Sequence, residues 1–246
     1  MNEKYLPIKI FEKRKDYDDR STEGGGDSHE SSWVLHGEEL NIHANYLNKN
    51  VRTVQASFKK WKEEQRTLPM IISTTVIDQA VAKTHRGRIV NLLENDGRDN
   101  VIGVFGDRQL LSMVTEESVL ETICEALEKK EDEATLISSI ADIDVFSPFI
   151  EPFEKENNVY RVRLCNYNDF DLNNHAKHLF EQACEATGIK IDAKVRFTSD
   201  MTIYRVTVDS LEQLNAMGEF EGVYSAEKTY PILASMDFLD TETTVF

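Results

Sequence analysis

The sequence predicts an α+β protein: two tandem ferredoxin-like (βαββαβ) domains preceded by a flexible arm and a long amphipathic helix. Three observations carry that expectation. One strand and helix pattern occurs twice, over roughly residues 70–150 and 158–232. Each copy runs strand, helix, strand, strand, helix, strand, which is the split βαβ unit. A polar, glycine-bearing stretch and then one long apolar stripe come before them. The expected limits are an arm over 1–37, a helix over 38–68, domains over 69–150 and 157–232, and a tail over 233–246. This architecture hosts many unrelated activities, so function has to be argued from sites.

The elements follow in order. The arm contains Gly24-Gly25-Gly26 amid charged residues and is too polar to offset the entropy of ordering itself. From Glu38 to about Gln65, Leu40, Ala44, Leu47, Val51, Val54, Phe58 and Trp61 recur every three or four residues without Gly or Pro. Pro69 closes that helix, and its stripe is expected to pack on the first repeat. Met70 to Val76, rich in Ile and Thr, reads as a strand. A helix from about Asp78 to Leu93 sets Val81, His85, Ile89 and Leu92 on one line and breaks at Asn95-Asp96-Gly97. Val101–Phe105 and Gln109–Thr115 form a hairpin around Gly106-Asp107. Glu116–Lys130 is a second helix, acidic at its start and basic at its end. Ala141–Phe146 closes the unit, ahead of a linker holding Pro148 and Pro152.

The second copy alternates more regularly. In Val159–Cys165, Tyr160, Val162 and Leu164 face one way and Arg161 and Arg163 the other. A helix over Leu172–Thr187 ends at Gly188, as a C-cap would. Ile189 to Phe197 sets Ile189, Ile191, Ala193, Val195 and Phe197 against Lys190, Asp192, Lys194 and Arg196. Met201–Val208 follows, then a short helix opened by Ser210 with Gln213 at capping-box spacing, then Gly222–Glu227 as the last strand.

Both helices of such a unit cover one sheet face and leave the other bare. The second unit gathers Arg161, Arg163, Lys194, Arg196 and Arg205 on that bare side, which reads either as a docking platform or as an ordinary solvated face. The net charge is −16, and residues 1–67 hold 12 basic and 12 acidic residues, so the whole acidic excess lies on the repeats. Such a body repels phosphate backbones, and Tyr160 and Tyr204 fall on the helix side rather than on an RNA-stacking face; no nucleic-acid partner is expected. No apolar run is long enough to span a membrane and Met1–Phe11 is too charged for a signal peptide, so no membrane partner is expected and the localisation reads as cytoplasmic.

Catalytic and metal motifs are sparse. The sequence holds no GxSxG elbow and no Walker loop. Cys124, Cys165 and Cys184 are isolated and read as free thiols. His36 reads as a helix-start residue, and Asp240-Thr241 lacks a tight-turn glycine. His175 and His178, three apart, lack the further ligands of a metal shell. His85 reads as a buried or interface histidine. No catalytic residue, metal or cofactor is expected.

Two segments, Asp200–Ile232 (DMTIYRVTVDSLEQLNAMGEFEGVYSAEKTYPI) and Asn100–Glu151, carry a resemblance. With the early TEGGG and Trp33, AKTHR at Ala82–Arg86 and ISSIADIDVFSP at Ile137–Pro148, the chain resembles the N-terminal, prosegment-like region of bacterial cytoplasmic subtilisin-like serine peptidases, a group often paired with an AAA ATPase. The glycine-rich Asp, His and Ser motifs of subtilases are missing here, so the resemblance implies a noncatalytic region whose catalytic domain was truncated or is encoded separately. It implies an intramolecular chaperone or inhibitor that docks on a subtilisin-like catalytic domain, in cis or in trans, with the AAA ATPase as a further partner. The docking face would be Arg161, Arg163, Lys194, Arg196 and Arg205, and the cleft-binding tail would start at Thr229, Tyr230 and Pro231. The alternative is a protein-interaction or small-ligand-sensing module of the same architecture.

Overall fold

The computed structural model describes residues 31–80, 83–94, 100–105, 108–196 and 201–229. The chain divides into two units, Met1–Ser32 and Trp33–Phe246. Nearly all of the expected arm lies outside the described residues. Its last part does not behave as an arm: Val34 is buried, Leu35 N–H donates to Ser138 Oγ at 2.8 Å, and Trp33 meets the His85 ring edge-on at 5.0 Å.

The described residues of the larger unit form a mixed α/β structure with two sheets. Helix α1 (Gly37–Glu63) buries Leu40, Ala44, Leu47, Val51, Val54 and Phe58, as the stripe requires. It lies against the first sheet, which contains β1 (Met70–Val76), β2 (Val101–Phe105), β3 (Gln109–Val114) and β4 (Ile140–Val145) in the order β2-β3-β1-β4. All pairs are antiparallel, with Met70 opposite Val114 and Thr74 opposite both Leu110 and Ile143. Helices α2 (Lys83–Leu93), α3 (Glu117–Glu128) and α4 (Ala134–Ser139) join α1 in the core above Met70, Ile72, Leu110 and Val114.

Two local readings change. Asp78–Ala80 is a 3-10 turn rather than the first turn of α2, and Leu93 is fully buried while Leu92 is only half-buried. The six-residue α4, absent from the expected order, buries Leu136 and Ile137 and is too short to show a helical period in sequence. Edge strand β4 is closed by two of its own side chains and one from α1. Asp142 Oδ1 accepts from the Ile143 N–H at 2.9 Å, Asp144 Oδ1 accepts from the Val145 N–H at 2.7 Å, and His43 Nε2 lies 2.8 Å from the Ile140 carbonyl. An edge so occupied resists pairing with a foreign strand.

The second sheet contains β5 (Phe149–Ile150), β6 (Val159–Leu164), β7 (Lys190–Arg196), β8 (Thr202–Thr207) and β9 (Val223–Lys228), in the order β5-β9-β6-β8-β7. Strand β5, inside the expected linker, pairs in parallel with β9; the other pairs are antiparallel. Helices α5 (Phe170–Thr187) and α6 (Leu211–Gly218) contribute Phe180, Cys184, Leu214 and Met217 to a core with Tyr160, Val162, Tyr204 and Val206. The caps are local chemistry. Asp169 accepts from the Leu172 N–H, Ser210 accepts from the Gln213 N–H, and Gly188 at φ +73° ends α5 in the left-handed region.

The two sheets share a third core. Leu68, Ile71, Ile102, Leu111 and Met113 line the face of the first sheet that its own helices leave bare, and they pack on Cys165, Tyr167 and Ala176. Helix α5 therefore has two apolar lines: Phe180 and Cys184 face its own sheet, while Ala176, flanked by half-buried Leu172 and Leu179, faces the first. Arg66 to Glu221 at 2.9 Å and the stacked Phe146 and Tyr224 rings at 5.8 Å bind the margin.

Candidate docking face

The second sheet has one side covered by α5 and α6 and one that its own helices leave open, and strand register decides which residues stand on each. Arg161 on β6 lies opposite Arg205 on β8 and Glu227 on β9, and Ala193 on β7 continues that row. The next row runs Phe149, Ser225, Arg163, Ile203, Val195 across all five strands. Phe149 is 62% exposed and Val195 is 56% exposed, so this row presents apolar surface on both sides of an arginine.

Electrostatics order the centre. Glu227 accepts from both Arg161 and Arg163, the latter at 2.5 Å, and Arg163 Nε donates to Ser225 Oγ at 3.0 Å. Arg163 also sits 5.2 Å from the Tyr224 ring centroid, a cation–π distance. Partial burial pushes the Glu227 carboxyl up, but hydrogen bonds and charge from the two arginines outweigh it and hold the group below the usual carboxylate range. One carboxylate thus fixes two guanidiniums whose side chains remain 53% and 37% exposed, which leaves cationic, hydrogen-bonding surface available.

Two of the five expected platform residues are elsewhere. Ile191 pairs with Val206, but Ala193 pairs with Arg205, so Asp192 is an extra residue in β7. A one-residue bulge reverses every later side chain. Lys194 then stands opposite Tyr204 and Arg196 opposite Thr202, on the helix-covered side, and Lys194 Nζ reaches Glu181 Oε2 of α5 at 2.7 Å. Tyr204 O–H donates to the other Glu181 oxygen at 3.0 Å. Burial pushes Glu181 up, and the bonds from Lys194 and Tyr204 more than reverse it, leaving its carboxyl low. The bulge also turns Val195 outward, contrary to the plain alternation. At the bulge the Asp192 carboxylate accepts from Thr207 Oγ1 at 2.6 Å and sits 3.1 Å from Lys190 Nζ. Phe149 carries no signal in the sequence, because a two-residue strand between prolines shows no period.

The expected tail is described only at Thr229, whose N–H donates to the Val159 carbonyl at 2.8 Å; Tyr230 and Pro231 lie outside the described residues. Asp240-Thr241 lies outside them as well. His175 Nε2 lies 2.8 Å from Thr67 Oγ1, His178 is exposed, and Cys184 is buried in the core of the second sheet. Among the described residues no group of three or more His, Cys, Asp or Glu could hold a metal ion. His85 is half-buried, and its Nδ1 is buried without a hydrogen-bond partner among the described residues.

A concavity of about 680 Å³ lies between α6 and the chain around β5, lined by Ile150, Phe153, Leu211 and Leu214 with Glu151 and Glu219. No described helix is long and apolar enough to cross a membrane. Compared with protein-family models, with curated proteins and with solved structures, the chain matches none of them.

Proposed function

We propose that this chain is a noncatalytic N-terminal region of a bacterial, cytoplasmic subtilisin-like serine peptidase, built of two tandem ferredoxin-like units and acting as chaperone or inhibitor by docking on the catalytic domain. The observation that carries the reading is the open face of the second sheet, where exposed Phe149 and Val195 end the row that holds Arg163, and Arg161 and Arg205 stand in the row beside it. A preformed sheet with apolar and cationic rows can lie on an amphipathic surface of a partner and stabilise it before its own core is complete. The chain continuing from Thr229 would then enter the substrate cleft as an extended strand, with Tyr230 and Pro231 in its first positions. Docking rests on Arg161, Arg163 and Arg205. Lys194 and Arg196 are no longer part of it. An AAA ATPase is the further partner that the family resemblance supplies.

The test is to refold a denatured bacterial subtilisin-like catalytic domain with and without micromolar amounts of this chain, then follow peptide hydrolysis. The reading expects a higher refolding yield and slower hydrolysis. If neither changes, the prosegment assignment is wrong.

The groove beside α6 favours a second reading, a small-ligand-sensing or protein-interaction module. A rise in melting temperature with one of a pool of amino acids or nucleotides supports it, and no shift with any of them counts against it.

A further inference from the structure

Lys228 is the last residue of β9 and stands opposite Tyr160, on the covered side of the second sheet. Its side chain is only 3% exposed, yet its Nζ lies 2.6 Å from Glu154 Oε1, a carboxylate that reaches it from a side chain 63% exposed. A leucine or methionine would fill the same space without desolvating an ammonium. Buried ion pairs are weak sources of stability, and their best-attested use is to select one register among several.

The surrounding bonds identify what is being registered. Lys228 N–H donates to Glu151 Oε2 at 2.6 Å, Glu151 N–H donates to the Ala226 carbonyl at 2.9 Å, and Tyr160 O–H donates to the Pro152 carbonyl at 3.0 Å. The first two tie the segment between β5 and β6 to the end of β9, and the third ties it to the start of β6 alongside. Strand β5 is two residues long and parallel, and Pro148 and Pro152 on either side have no N–H to extend the ladder. So short a pairing specifies its register weakly by itself.

We infer that Lys228 anchors a latch that straps residues 151–154 across the end of β9 and fixes where the chain leaves the second sheet at Thr229. Glu154 closes the latch from outside, and Glu151 and Tyr160 hold its backbone. The inference stands on this geometry and does not need the peptidase reading. In it Lys228 is a positioning residue: it contributes little to global stability and much to local order at Glu151 and Thr229.

Residue-resolved amide exchange on the full chain tests this. In Lys228→Met, which keeps the apolar packing, the Glu151 and Thr229 amides should exchange about tenfold faster while those of Tyr160, Val162 and Val206 keep their rates. Glu154→Gln, which keeps an oxygen acceptor for the ammonium at an exposed side chain, should move the same two amides in the same direction by less. Unchanged Glu151 and Thr229 rates in both variants overturn the inference. So does a uniform acceleration across β6 and β8, which would make Lys228 an ordinary core residue. If Lys228→Met does not fold, the Glu154→Gln rates decide.

Discussion

Lys194 places its ammonium 2.7 Å from the Glu181 carboxylate of α5, on the opposite side of the second sheet from Arg205. The pair separates two kinds of basic residue that the strand sequence alone makes look alike: cations that hold a helix onto its sheet, and cations that face outward. Arg205→Glu should therefore abolish inhibition of a subtilisin-like catalytic domain while leaving the melting temperature nearly unchanged. Lys194→Ala should keep inhibition intact and cost at most about 1 kcal/mol of stability, because both partners of its ion pair are partly solvated. Inhibition constants and urea melts of the two variants check this, and equal loss of inhibition in both refutes the revised face.

Glu227 should govern part of the acid limb of stability. Its folded-state carboxyl lies below the ordinary range, held there by Arg161 and Arg163 against the effect of burial. The stability it contributes is therefore fully present above the ordinary glutamate value, about 4.3, and is lost as pH falls through the lower folded value. Melting temperatures measured from neutrality down to acid should fall less steeply in Glu227→Gln than in the wild type over that window. Parallel curves would show that the two arginines do not depend on this carboxylate.

The shared core between the sheets predicts one cooperative transition. Leu111 is fully buried against the second half of the chain, and Leu111→Ala should cost about 2–5 kcal/mol. Trp33 and Trp61 report on the first half and Tyr160 on the second. All three signals should move to the same lower urea midpoint. A separate, unshifted midpoint for the second half would mean that α5 does not couple the sheets.

At Gly188 the left-handed backbone, φ +73°, is what lets α5 end and β7 begin two residues later. A Cβ there would meet Gln213 Nε2 at 3.4 Å, an ordinary contact, so the cost of Gly188→Ala is backbone strain, about 1 kcal/mol. The measurement is the urea midpoint, and a stabilised variant would contradict the assigned conformation.

Thiol chemistry should sort by burial. Burial pushes the Cys165 and Cys184 thiols up to about 12, so neither offers thiolate near pH 8. Cys124 is half-buried and its thiol is also raised by burial. A disulfide reagent should modify the native chain at Cys124 alone and reach all three only in denaturant. Native modification of Cys165 would show that the inter-sheet core opens.

Much of this was legible in the residues. The stripe from Leu40 to Phe58 fixed both the helix and its buried side; Tyr160 and Val162 against Arg161 and Arg163 fixed the sidedness of β6; Ser210 with Gln213, and Gly188, marked helix ends by chemistry that acts within four residues. The candidate site was only partly legible. Arg161, Arg163 and Arg205 stand where alternation puts them, since no irregularity separates them in the β6–β8 ladder. Lys194 and Arg196 do not, because the Asp192 bulge lies between them and the start of β7.

By itself the sequence determined the local periods, the caps and the strand and helix order, because each depends on neighbours a few residues away. Tertiary structure alone decided the second apolar line of α5, the pairing of β5 with β9, the side on which Lys194 and Val195 stand, and the burial of Lys228. These depend on groups distant along the chain, and period and propensity carry no information about which partner will be opposite.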